Sequence, residues 1–359
     1  ADVDLLRRLL AEADSAAAQA PATLSAAQAR LGEDAVWLGW GFGERHALLL
    51  EVRGGDARVH LLGEAAPLRR DLHRLDAGLR RPDSDRQQLE DSAVALGPRL
   101  LPATPLAGTQ RLYALMDGAL PAVPLALLHW PGDAQPLIER LAISRVEDLP
   151  ERGDRLGRAQ RALVLYAAGG DSARRPQLRN APLESQLLGR ALPELSVEPA
   201  ALTGAAQLRE ALGTAATWVH VAAHGETRRG LQGYAGLWLD ASSADPRLGF
   251  VSWLDLLGRP VRSPLVVLNA CELAASGDAS VGGSASFATA LSAAGAAHVI
   301  AGQWAVSDGA AGLWVEAMYA GLAEHGEPAR ALQRAQLRLR DSRAYRHPFY
   351  WAGLVHLQR

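Results

Sequence analysis

A chain of 359 residues that is 48% apolar is long enough to bury a large core and, by length alone, to hold two domains or two fused subdomains. A formal net charge of −2 excludes a nucleic-acid footprint and a polybasic membrane patch, and no run of about 18 apolar residues offers a membrane span. The single cysteine excludes an internal disulfide, as expected of a protein in a reducing cytoplasm.

Every basic side chain is an arginine, a composition bias with no functional reading. The chain opens on Ala rather than Met, as expected of a piece trimmed from a longer protein. No repeat with a period of roughly 34 residues runs through it.

In chain order, the predicted elements begin with two short helical patterns over residues 4–31. Leu5, Leu6, Leu9 and Leu10 share one face of the first, and Ser25 caps the second. From Ala35 the period becomes that of strands, at 36–40, 46–52 and 58–62, with Gly54-Gly55-Asp56 turning a hairpin between the last two. Helical spacing returns over 68–79, the charged stretch 80–88 reads as an exposed connection, and strands are expected at 112–116 and 137–146. A polar run holding Gly153 and Gly157 marks a boundary. The expected divisions are N-terminal helices (1–34), a first sheet domain (35–155) and a second (156–359).

The second domain alternates strand and helix, the pattern of a mostly parallel sheet with helices on its faces. Strands are expected at 162–166, 218–223, 265–269, 297–304 and 349–357. Helices are expected at 183–191, 206–212, 250–257, 286–294, 309–323 and 327–340. Two strand ends carry the chemistry. Pro264-Leu-Val-Val-Leu-Asn269-Ala270-Cys271-Glu272 ends in the only thiol, and Thr217-Trp-Val-His220-Val-Ala-Ala-His224-Gly225 ends in His-Gly. In a doubly wound sheet the carboxyl ends of the strands open into the ligand crevice.

A cysteine nucleophile is only a few per cent thiolate at neutral pH and needs an imidazole within reach, which His224 would supply. A glycine after that histidine lets the backbone approach a substrate carbonyl, so the N–H groups of Gly225 and Cys271 would hold an oxyanion. Losing one such donor typically costs about 100- to 1,000-fold in rate. His220, four residues before His224, would make a zinc pair only on a helix. In a strand it reads as a core residue, so no metal is expected.

These motifs, with Gly302-Gln-Trp304-Ala-Val-Ser-Asp308, Ala331-Leu-Gln-Arg-Ala-Gln336 and His347-Pro-Phe-Tyr-Trp351-Ala, follow one another in the order and spacing of a known family. The chain resembles the CHAT domain, the caspase-like cysteine protease module of prokaryotes, which is related to separase and often found behind tetratricopeptide repeats. Asn269-Ala-Cys271 resembles the Gln-Ala-Cys signature of caspases, whose histidine likewise lies about 50 residues upstream. The resemblance extends, more weakly, back to about Leu31.

It implies a three-layer α/β/α sandwich of the peptidase clan CD type, preceded by a catalytically inactive, pseudo-protease half. It further implies a His224/Cys271 endopeptidase that needs no cofactor and cuts a protein substrate at few sites. Gating by a partner or by an upstream repeat domain is also implied.

Asp308 has two readings, an N-cap for the helix from Gly309 or, as in relatives that cut after Arg or Lys, the acidic floor of an S1 pocket. Glu272, Asp240 and Asp278 are weaker contenders for that floor. Asn269 orients the cysteine turn and is a candidate substrate contact, as are Glu272 and Trp304. Gly282-Gly283-Ser284 lacks a preceding strand and the Gly-x-Ser-x-Gly spacing, so it reads as a loop of the cleft rather than a serine-hydrolase elbow. Gly169-Gly170 lacks the rest of a phosphate loop. The second reading of the whole chain is a non-catalytic scaffold that works by protein–protein binding.

Overall fold

A computed structural model describes residues 24–116, 123–147, 155–157, 159–167, 169, 176–215, 217–227, 235–239, 249–256, 258–275 and 286–359. The first helical pattern, Asp240, Asp278 and Gly282-Gly283-Ser284 lie outside these residues. Two units divide the chain, Ala1–Glu151 and Arg152–Arg359.

In the first unit α1 (Leu24–Leu31) precedes β1 (Ala35–Phe42), β2 (His46–Arg53) and β3 (Asp56–Glu64). Then come α2 (Ala65–Leu79), α3 (Arg86–Leu100), β4 (Arg111–Met116) and β5 (Ala142–Val146). The strands run in the order β3-β2-β1-β4-β5. β1 is antiparallel to β2 and parallel to β4, and β4 is parallel to β5. β1, interior and apolar throughout, is buried along its whole length.

Two expectations change here. The exposed connection expected over 80–88 holds through Asp85, and α3 takes its last three residues, because the Asp85 carboxylate accepts the N–H groups of Gln87 and Gln88 and caps a helix whose Leu89, Ala93, Leu96 and Leu100 face inward. The strand expected over 137–146 splits into a 3-10 turn, Leu137–Glu139 after Pro136, and the shorter β5.

In the second unit the order is β6 (Arg161–Tyr166), α4 (Glu184–Ala191), β7 (Ser196–Ala201), α5 (Ala205–Leu212) and β8 (Thr217–Ala222). Three short strands follow, β9 (Gly225–Thr227), β10 (Ala235–Trp238) and β11 (Phe250–Ser252). The unit continues with β12 (Leu265–Asn269), α6 (Phe287–Ala293), β13 (His298–Gly302), α7 (Asp308–His325), α8 (Pro328–Asp341) and β14 (Leu354–Gln358).

The main sheet of this unit runs β14-β13-β12-β8-β6-β7, parallel throughout except for β14. β8, β12 and β13 are buried almost end to end, as parallel strands covered on both faces must be. On one face Val219, Val221, Val266, Leu268, Val299 and Ala301 pack with Leu208 and Leu212 of α5 and Phe287 and Leu291 of α6. α8 packs on β13 and β14, α7 packs on α8, and α4 packs on α7. These are the three layers expected of the second domain.

β7 was not expected, since Ser-Val-Glu-Pro-Ala-Ala carries no apolar alternation. It is the outer strand beyond β6, mostly exposed, the setting in which Pro199 is tolerated. Residues 250–256 are likewise not one helix. They form β11 and a 3-10 turn, Trp253–Leu256, and β9, β10 and β11 make a separate antiparallel sheet.

Candidate active site

β8 and β12 are adjacent and parallel, with Ala222 opposite Asn269. His224 stands two residues beyond the first and Cys271 two beyond the second, so both leave the carboxyl edge of the sheet at one level. The backbones stay in contact past the strand ends. Ala223 donates to the Asn269 carbonyl at 3.3 Å, and Thr227 Oγ1 donates to the Glu272 carbonyl at 2.9 Å. At Gly225 a Cβ would lie 3.0 Å from the Cys271 nitrogen and closer still to its carbonyl oxygen, so only glycine fits.

The turn around the thiol is pinned from the neighbouring strand end. Glu272 donates its N–H to the Trp304 carbonyl at 3.2 Å and Ala274 donates to that of Gly302 at 2.9 Å. Glu272 adopts φ +58, left-handed and strained for a side-chain-bearing residue. Cys271 is half-buried, and its Sγ lies 3.9 Å from the Val306 carbonyl, an acceptor for S–H and not for a thiolate. Burial pushes the thiol above its ordinary value and the neighbouring Glu272 carboxylate pushes the same way.

His224 donates from Nε2 to the Pro176 carbonyl at 2.7 Å. In the neutral ring that bond leaves Nδ1 with the free lone pair, the form a base requires. The same segment reaches Asp308. Arg179 N–H donates to its carboxylate at 3.1 Å, Asn180 N–H at 3.2 Å, and Asn180 Nδ2 at 3.2 Å. Asp308 is the first residue of α7, with Ser307 at the N-cap position, so Asp308 is not the N-cap and its carboxylate caps the 179–180 turn.

Two sequence assignments are corrected. Trp304 is a core side chain, 2% exposed, with its Nε1 donating to the Phe349 carbonyl and its ring where a Cβ on Gly353 would otherwise stand. What it gives the site is its carbonyl. Asn269 is partly buried and donates from Nδ2 to Glu184 Oε1 at 2.6 Å, a bond that commits its amide N–H to the core side rather than to a substrate.

His220 is buried, as expected of a core residue. It donates from Nε2 to Glu184 Oε2 at 2.5 Å and accepts from the Tyr319 hydroxyl at Nδ1, 2.8 Å away. Sequence reasoning missed Glu184 and Tyr319. The available signal was a buried histidine that had to find partners on the helices covering it. Among the described residues no three His, Cys, Asp or Glu side chains gather as metal ligands. No helix among them is long and apolar enough to cross a membrane.

A mostly parallel sheet sandwiched by helices, with a thiol and an imidazole leaving neighbouring strand ends, is the architecture of the caspase-like cysteine peptidases. The CHAT domain family matches residues 87–359, and the chain belongs to that family.

Among solved structures the fold is similar to separase in two Saccharomyces cerevisiae separase–securin complexes. The first has a TM-score of 0.56 at 10% identity over 93% of this chain, the second a TM-score of 0.52 at 10% identity over 93%. The chain spans 31% of the separase chain in each. The Arg-specific cysteine proteinase gingipain R matches with a TM-score of 0.44 at 12% identity, over 80% of this chain and 73% of its own. A comparison with curated protein sequences finds no match.

Proposed function

We propose that the chain is a cysteine endopeptidase acting through a His224/Cys271 dyad. The observation that carries this reading is the register of β8 and β12, together with a Gly225 that sits on the Cys271 backbone with no room for a side chain. Cys271 Sγ gives its proton to His224 as it attacks the scissile carbonyl carbon, and the adduct collapses to the thioester. His224 gives a proton to the leaving amine as the C–N bond breaks. A water, deprotonated by His224, then attacks the thioester and returns the thiol. The N–H groups of Gly225 and Cys271 hold the oxyanion in both steps.

A half-buried, protonated thiol beside an acceptor carbonyl is a resting state. Its raised pKa supports gating by a partner or an upstream repeat domain that rearranges the 304–308 segment. Asp308 is the proposed acidic determinant for a basic P1 side chain. Its carboxylate holds three N–H donors in the resting structure and would exchange them for a bidentate guanidinium. The first unit carries neither half of the dyad and serves in this reading as the inactive, pseudo-protease half.

The test is hydrolysis of Arg- and Lys-terminated fluorogenic peptides and of protein substrates by the parent and by Cys271→Ala. Turnover by the parent alone is expected, and equal turnover by both ends the reading. Asp308→Ala should erase the basic P1 preference; an unchanged preference dismisses that residue. The second reading, a caspase-like scaffold acting by protein–protein binding, draws on the same half-buried thiol. It requires that no activated form turn over substrate.

A further inference from the structure

Beneath the dyad four polar side chains close on one another in the core. Glu184, on the first turn of α4, and His220, near the middle of β8, are each 1% exposed, as is Tyr319 of α7. The Glu184 carboxylate takes one hydrogen bond from each of the two strands that matter, His220 Nε2 on one oxygen and Asn269 Nδ2 on the other. Tyr319 O–H donates to the remaining ring nitrogen of His220, which fixes the tautomer that gives Nε2–H to the carboxylate.

Each strand is gripped just before its functional residue, β12 two residues ahead of Cys271 and β8 four ahead of His224. An ionised group is an expensive occupant of a core that apolar residues could fill, so its placement across this one pair of strands calls for a reason beyond packing. A 1 Å error in the placement of reacting groups can cost about 100-fold in rate.

We propose that Glu184 is a positioning residue, a buried carboxylate clip that ties β8 to β12 and sets the distance between His224 and Cys271. The inference rests on the peptidase reading and adds a residue that touches neither substrate nor the reacting atoms. Its partners are Asn269 and His220, with Tyr319 holding the imidazole in the required tautomer.

The experiment uses the full chain. In Glu184→Gln the amide still accepts from His220 but offers Asn269 an N–H, which Asn269 can meet only by turning its own amide over and giving up its present orientation, and kcat should fall about 10- to 100-fold with KM within about 3-fold of the parent. The rate of Cys271 alkylation by iodoacetamide should also change its pH profile. In the double variant Glu184→Gln, Asn269→Asp both bonds can form again, the new amide donating to Asp at 269 and accepting from His220. It should recover most of the lost kcat.

A merely structural role would lower the melting temperature while leaving kcat per folded molecule and the alkylation profile alone. A folded Glu184→Gln variant with the parent's kcat and alkylation profile overturns the proposal, and so does a double variant that recovers nothing. If the parent and Cys271→Ala turn over substrate equally, the peptidase reading falls. The clip then stands or falls on the alkylation profile of folded Glu184→Gln alone.

Discussion

Cys271 and Glu272 sit side by side in one turn and are perturbed in opposite ways, one electrostatically and one conformationally. For the thiol, burial comes first and favours S–H, the Val306 backbone contact opposes it, and the smaller effect of the Glu272 charge adds to burial, leaving the thiol above its ordinary value. Alkylation by iodoacetamide should therefore be slow at neutral pH and rise only above the ordinary thiol value of 9.0. A midpoint near or below neutrality would mean a thiolate already formed at rest.

For Glu272 the φ of +58 costs any residue with a Cβ about 1 kcal/mol relative to glycine. Substituting Ala and Gly there separates the backbone effect from the loss of the carboxylate. Glu272→Gly should be the more stable of the pair by about 1 kcal/mol in urea unfolding. Equal stabilities would place the turn outside the left-handed region. The sequence could locate this turn because a lone cysteine after an apolar run and a His-Gly after another are local signals. It could not reveal the strain, which arises from bonds made by Glu272 to Thr227 and Trp304, both distant in the chain.

Elements with their own periodicity were legible, and those defined by a neighbour were not. β8, β12, β13, α7 and α8 follow apolar patterns that survive in the structure to within a few residues. α3 rests on the Asp85 cap, β7 on pairing with β6, and β9 to β11 on pairing with one another. The same limit hid a polar cluster between β2 and β3. Glu51, 1% exposed, accepts from Arg53 Nε at 2.7 Å, His60 Nε2 at 2.8 Å and Thr104 Oγ1 at 2.9 Å. Burial alone would raise its carboxyl, and the hydrogen bonds from Arg53, His60 and Thr104 outweigh burial and hold it below the ordinary 4.5.

A depressed carboxyl contributes stability that is fully present above its unfolded pKa and is lost as pH falls through the folded one. Glu51→Gln should thus be less stable than the parent at pH 7 by about 1–3 kcal/mol. The two melting curves should converge on acidification through and below 4.5. A constant gap between them down to the lowest pH would mean that the carboxylate charge contributes nothing.

At the scale of the whole molecule, the family match and the physical units have different edges. The match begins at residue 87, within α3, whereas the first unit runs from Ala1 to Glu151. Motif order identified the family because all five motifs lie in the second unit, three of them at the ends of β8, β12 and β13. The first unit has no such chemistry, and only its strand patterns and the helical spacing of α2 could be read.

A chain cut to residues 87–359 would keep β4 and β5 and lose β1, which pairs with β4 from Ala35↔Arg111 to Trp40↔Met116. It would also lose α2, whose Leu68, Leu72 and Leu75 are each 1–2% exposed, while Leu112 and Ala114 of β4, fully buried at 0%, stay behind without the strand that pairs beside them. Baring a fully buried aliphatic side chain costs about 1.5–3 kcal/mol, and β4 would present an unpaired edge as well. For a domain of this size each kcal/mol is worth about 2–4 °C, so the truncated chain should melt at least about 10 °C below the full chain or aggregate outright. A 87–359 fragment that is monodisperse and melts with the full chain would make β1 to β3 dispensable and move the structural boundary to the edge of the family match.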